Sequence, residues 1–123
     1  MDCLFCKIIN GDIPSYKIYE DEYVYAFLDI NPDSNGHTLV IPKIHTLDLD
    51  SIELDTLNNM FKAIKKIKIN LENKLNCDGI TLIQNNGEVQ EVKHFHIHLK
   101  PYYNNKQELK DVSEMYEILK NCE

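Results

Sequence analysis

The sequence has little of what marks several large classes of protein. Tryptophan is absent, and glycine and proline each occur four times in 123 residues. No Gly-, Pro- or Ser-rich stretch divides the chain and no internal repeat is visible, which argues against linker-joined or repeat architectures. Positive charge is short: 13 Lys+Arg face 20 Asp+Glu, a net charge of −7 with histidine neutral. Such a chain is not built to coat nucleic acid, because neutralising many phosphates takes a basic face. A small anionic ligand held by a few local donors remains compatible with it. No apolar run approaches the roughly 20 residues that span a bilayer, so no membrane partner is expected. The stretch Met1-Asp2-Cys3-Leu4-Phe5-Cys6-Lys7 lacks the basic and apolar segments of a secretory signal. A cytoplasmic protein with reduced thiols is expected.

What is present is enough for one domain over residues 1–123. Hydrophobic residues make up 43% and charged residues 27%, ordinary for a chain that folds around its own core. Cys3 to Asn10 reads as a short helix stopped at Gly11. Lys17 to Glu20 and Tyr23 to Leu28 read as a hairpin around Asp21-Glu22, and Asn31 to Gly36 is a dense turn signal before a strand over His37 to Ile41. From Ile52 to Leu75, apolar residues recur every three or four positions, the stripe of an amphipathic, core-packing helix. Further strands are expected over Ile80 to Gln84 and Phe95 to Lys100, and Leu109, Val112, Met115, Tyr116 and Leu119 mark a C-terminal helix. One long helix among strands without βαβ alternation implies α+β, with a mainly antiparallel five-stranded sheet and short terminal helices.

Three of the five histidines form His94-Phe95-His96-Ile97-His98. In a strand, residues two apart share a face, so the three imidazoles are expected in a row while Phe95, Ile97 and Leu99 face the core. Such a row has two uses. It can bind metal, although neighbours about 7 Å apart along a strand converge poorly on one ion. Alternatively, one imidazole is a nucleophile toward phosphorus, its tautomer set by a carbonyl bonded to the other ring nitrogen. The second use suits a strand better.

With Cys3-Leu4-Phe5-Cys6, Ala26-Phe27-Leu28-Asp29-Ile30-Asn31-Pro32, Gly36-His37-Thr38-Leu39-Val40-Ile41-Pro42 and Gln84-Asn85-Asn86-Gly87, the histidine row resembles the histidine triad family over nearly the whole chain. The resemblance is to its small, homodimeric branch of nucleotide-binding phosphoramidases and hydrolases. It implies a purine nucleotide (an AMP or GMP moiety) attacked at its α-phosphate by His96, with a covalent nucleotidyl-histidine intermediate. His98 is then the phosphate donor near the leaving group, and the His94 carbonyl holds the His96 ring. Asn85 and Gln90 become phosphate contacts, and Asp29 the ribose acid. Leu4, Phe5, Ile8, Phe27, Ile30 and Leu39 become the base cleft. The resemblance also implies a sheet extended across a homodimer. A dinucleoside polyphosphate hydrolase and a nucleotide-binding regulatory dimer are the alternatives within it.

Cys3 and Cys6, as Cys-x-x-Cys, can be a redox pair, half a metal site or two small buried residues. No thioredoxin-like pattern surrounds them. In bacterial members of the family such a pair joins two histidines around zinc, and the matching positions here are His45 and His94, a closed structural Cys2His2 set. Cys77 reads as a loop or core thiol and Cys122 as part of a tail; His37 matches a family position near the nucleotide, with no role assigned to it. A loop and three positions depart from the family pattern. The loop before His94 is about two residues short, Val89 replaces a glycine, Glu91 a serine or threonine, and Lys100 the last apolar residue of the triad string.

Overall fold

The computed structural model describes residues 3–120, so Cys122 lies outside the described residues. Helix α1 spans Leu4–Ile9. Strands β1 (Lys17–Glu20), β2 (Val24–Leu28) and β3 (Thr38–Pro42) precede the long helix α2 (Leu54–Leu75). Strands β4 (Gly79–Gln84) and β5 (Ile97–Tyr102) follow, then helix α3 (Val112–Leu119). The sheet has the order β1-β2-β3-β5-β4, and every neighbouring pair is antiparallel. The fold is therefore α+β as expected. β5, the last strand in the chain, sits between β3 and β4, with Val40 opposite Ile97 and Gln84 also opposite Ile97.

Alternation along the strands gives the sheet two apolar faces. Val24, Ala26, Leu28, Val40, Ile97 and Leu99 face α2 and meet Met60, Ile64, Ile67 and Leu71, with Phe95 in the same core. This is the predicted helical stripe. At its N-terminal end the stripe leaves the sheet: Leu54 and Phe61 are exposed. α2 ends at Asn76 in the left-handed conformation, φ 52°, which asparagine tolerates better than most residues. The opposite face carries Tyr25, Phe27, Leu39 and Ile41, and α1 covers it with Phe5 and Ile8. α1 is pinned at its start, where the Cys6 amide donates to the Cys3 sulfur at 3.4 Å.

The Asn31 to Gly36 turn closes against α2. Gly36 has φ +90°, and a Cβ there would collide with Leu75 and press on Pro101. Both its backbone conformation and its close approach require glycine. Two boundaries differ from expectation. α3 starts at Val112, leaving Leu109 exposed before it. β5 runs Ile97–Tyr102 rather than Phe95 to Lys100, because the Phe95 amide bonds outside the sheet to the Thr46 carbonyl at 2.7 Å. Among the described residues, no helix is long and apolar enough to cross a membrane.

Candidate active site and metal cluster

The shifted start of β5 rearranges the histidine row. Only His98 lies on the strand, and His94 and His96 precede it. The rings of His96 and His98 pack edge to face with centroids 5.0 Å apart. The His94 ring instead lies 4.9 Å from that of His45. Phe5 meets the rings of both His94 and His96, with centroids 5.8 and 5.1 Å apart, so the three imidazoles share the α1 side of the sheet as expected; what differs is that only His98 is on the strand. Phe95, Ile97 and Leu99 do enter the core.

Backbone carbonyls decide which nitrogen each ring presents. His96 Nδ1–H donates to the His94 carbonyl at 2.8 Å, which leaves the lone pair on Nε2. Burial holds the His96 pKa below the usual imidazole value, so the ring is neutral near pH 7. Its other flank is closed by Phe5, edge-on with centroids 5.1 Å apart.

His37, left without a role by the sequence, proves central. Its Nδ1 accepts from the Asp33 amide at 3.0 Å. A neutral His37 therefore carries its proton on Nε2, 2.9 Å from His98 Nδ1. His98 must accept there, which places its own proton on Nε2. Burial, together with the adjacent histidines, pushes His98 down to about 4, and burial likewise lowers His37. The signal for His37 was available: it shares the β3 face of Leu39 and Ile41 at the mouth of the turn. Asp29 completes this group, with Oδ2 3.6 Å from His37 Nε2. Its Oδ1 accepts from the Asn31 amide at 2.8 Å, so one carboxylate oxygen shapes the turn and the other faces the histidines. Asp29, His37 and His98 lie close enough to suggest a cation. The 2.9 Å nitrogen–nitrogen separation is a proton-sharing distance, shorter than the edge of about 3.3 Å that two imidazoles span on tetrahedral zinc.

The other predicted residues are placed unevenly. Phe5, Ile8, Phe27 and Leu39 form one apolar cluster beside the histidines, and Tyr25, which sequence reasoning missed, belongs to it. Ile30 is 70% exposed and Leu4 also faces solvent. Asn85 follows Gln84, the last residue of β4, whose partner Ile97 is next to His96 in the chain. Gln90 is buried, and its amide nitrogen donates to the Leu47 carbonyl at 2.6 Å rather than into the site. The short loop is tied down by Lys93, whose ammonium bonds the Gly87 and Gln90 carbonyls at 2.9 and 2.8 Å. Its left-handed residue is Gly87, φ +73°. Val89 has an ordinary negative φ and points to solvent, so the fold makes no demand for glycine there.

Cys3, Cys6, His45 and His94 bring four ligand atoms within 4.8 Å of one another. Three sulfur–Nδ1 distances are 3.3, 3.4 and 3.6 Å, and the two Nδ1 atoms are 3.2 Å apart. Zinc–nitrogen bonds of about 2.0 Å and zinc–sulfur bonds of about 2.3 Å give tetrahedral edges of about 3.3 to 3.8 Å, so the cage has the size of a zinc site. His94 Nε2–H donates to the Pro42 carbonyl at 2.9 Å, turning the Nδ1 lone pair toward the sulfurs. Burial and the adjacent Cys3 thiol push Cys6 up to about 11. A cation at the shared point would reverse that, because its ligands are thiolates.

Fold and site together define a class: an α+β domain that carries a histidine–carboxylate pocket and a Cys2His2 cluster beside one sheet face. The HIT domain model matches residues 10–105, and the chain belongs to that family. An uncharacterized HIT-like protein of Methanocaldococcus jannaschii is 52% identical over 103 residues, 82% of this chain and 79% of that protein. The adenosine 5′-monophosphoramidase of Saccharomyces cerevisiae is 44% identical over 101 residues, 80% of this chain and 61% of that protein. The crystal structure of a zinc-bound histidine triad family protein from Mycobacterium smegmatis superposes with a TM-score of 0.89 at 37% identity, covering 98% of this chain and 91% of that one.

Proposed function

We propose that this chain hydrolyses conjugates of purine nucleoside 5′-monophosphates, of the phosphoramidate type, at the α-phosphate. The observation that carries the reading is the bond from His96 Nδ1–H to the His94 carbonyl, which presents a neutral Nε2 lone pair beside His98. His96 Nε2 bonds to phosphorus as the phosphorus–leaving-group bond breaks. The leaving nitrogen keeps that electron pair and takes a proton from solvent water, to which the water attacking in the next step returns one. Water then attacks phosphorus, His96 departs with its own pair, and the nucleoside monophosphate is released. Two steps replace one difficult displacement. His98 Nε2–H, fixed by His37, offers a hydrogen bond to the phosphoryl oxygens as charge develops. Phe5, Ile8, Phe27 and Leu39 take the base, Asp29 Oδ2 takes a ribose hydroxyl, and Asn85 contacts phosphate. The phosphoramidase relative supports the substrate class.

Cys3, Cys6, His45 and His94 hold one structural zinc in this reading. Bound there, zinc locks α1 to the segment whose carbonyl orients His96; with all four positions filled by protein it adds no open site for substrate. The chain acts as one domain in the cytoplasm, where its thiols stay reduced. The functional unit is a homodimer. β4 is a sheet edge, exposing Leu82, and pairing two such edges about a two-fold axis would extend the sheet and cover it. Light scattering should then give twice the chain mass.

The test of the reaction is trapping. Wild-type protein mixed with an AMP phosphoramidate and quenched in denaturant should carry an acid-labile adenylyl adduct, absent from His96→Ala. An adduct of equal yield on the variant would sink the nucleophile assignment.

A further inference from the structure

Lys100 stands where the histidine string would otherwise end on an apolar residue, and its position gives it a use. It lies two residues after His98 on β5, so both side chains share the sheet face of the site, about 7 Å apart. Across the strands, Thr81 is opposite Lys100 and Ile83 is opposite His98. These two β4 residues and Lys100 form the floor of an open groove of about 610 Å³, walled by Asp33, Tyr102, Tyr103 and Lys106. Ile83, opposite His98, brings the groove next to the histidine pocket.

We infer that this groove is the leaving-group subsite and that Lys100 selects conjugates whose leaving group carries a carboxylate or phosphate. The inference rests on the hydrolase reading above. With the nucleoside over β2 and β3 and phosphorus at His96, the remaining substituent on phosphorus extends over β5 and β4, whose Lys100, Thr81 and Ile83 line the groove. Its lining has two ammonium groups against one carboxylate. Lys100 Nζ bonds Asp33 Oδ2 at 2.5 Å, and an ammonium has three donors, so it holds Asp33 and still offers protons to a second anion. Lys100 is 27% exposed in its side chain while Asp33 is 63% exposed. Solvent reaches the pair mainly from the Asp33 side and screens it in part, and a leaving-group anion in the groove can share the ammonium. The tyrosine rings suit the carbon skeleton of such a group.

The experiment compares four N-linked AMP conjugates in two pairs that differ in the anion, glycine against the near-isosteric glycinamide and O-phosphoethanolamine against ethanolamine. Wild-type protein should favour an anionic member by about tenfold in kcat/KM, and which pair shows it identifies the anion. Lys100→Met should bring that ratio close to one. Asp33→Asn, which keeps the backbone amide that holds His37, should raise it. Lys68→Met, on the exposed face of α2, should leave it unchanged and so exclude a general effect of charge. Equal turnover of all four conjugates by wild type, or a Lys100→Met ratio equal to wild type, overturns the inference alone. Turnover of none overturns the hydrolase reading and the inference with it.

Discussion

The Cys2His2 cluster and the His96–His98 pocket are both built around histidine and differ in which ring nitrogen they present. His94 gives Nε2–H to the Pro42 carbonyl and turns Nδ1 toward two sulfurs. His96, two residues on, gives Nδ1–H to the His94 carbonyl and turns Nε2 outward. His37 and His98 add a third arrangement, one ring donating to the next. A histidine's chemistry is thus set by the carbonyl or amide it meets, and neighbours in sequence can serve unrelated ends. The two regions also touch: the carbonyl that orients His96 belongs to His94, a residue of the metal cluster.

The comparison breaks most sharply at His96. His96→Ala should cut kcat/KM by at least about 10³-fold, the scale of losing a covalent nucleophile. It should also retain about one zinc per chain, because the ring takes no part in the cluster. Loss of zinc in this variant would show that the two regions are one. The converse variant, Cys3→Ser with Cys6→Ser, should lose the metal. Its melting temperature should fall by about 10 °C, corresponding to roughly 3 kcal/mol for a domain of this size. Its activity should fall less than that of His96→Ala, because the His94 backbone remains. Metal analysis and calorimetry on both proteins give the four values needed.

Much of this was legible in the sequence, and the gaps have physical causes. The α2 stripe predicted Met60, Ile64, Ile67 and Leu71 as core, since a helix's faces follow from local spacing alone. It also marked Leu54 and Phe61, which are exposed; where a helix overhangs its sheet depends on the length of the sheet, which no local period encodes. The four atoms of the Cys2His2 cage do come together, although 91 residues separate Cys3 from His94. The insertion of β5 between β3 and β4 was not readable, because strand order is a matter of long-range pairing. The diversion of the Phe95 amide to Thr46 starts β5 at Ile97, although His94 keeps the expected side of the sheet, against Phe5. The resemblance placed His37 near the nucleotide but gave it no role, because its partner His98 is 61 residues away. Gln90 matched a phosphate contact by type, but its amide nitrogen is already committed to Leu47.

A smaller effect tests how the third arrangement works. His37→Ala removes the donor to His98 Nδ1 and frees the His98 tautomer. A drop of about 10²-fold in kcat, with KM changed little, is expected for a group that positions a proton donor. His37→Gln, which keeps a donor on this side chain, should recover part of it. Equal losses in both variants would mean that His37 acts by packing.

The smallest expected effect is on stability against pH, and its sign separates the two regions once more. Burial lowers the pKa of His98 to about 4 and also lowers that of His37, whereas an unfolded histidine titrates near about 6.5. Below about pH 6.5 the unfolded chain therefore binds protons that the folded chain refuses. Their contribution to stability is complete above that value and is lost as the pH falls toward about 4. One such proton corresponds to a slope of at most about 1.4 kcal/mol per pH unit, and the part-exposed His98 ring should give a fraction of it. Removing the ring in His98→Asn should flatten the slope of urea-unfolding free energy between pH 6.5 and 4. Measuring it in the Cys3→Ser/Cys6→Ser background takes metal release out of the same pH range. An unchanged slope in that background would mean that His98 binds its proton as readily in the folded protein as in the unfolded chain, and the tautomer chain from Asp33 through His37 would then not hold it neutral.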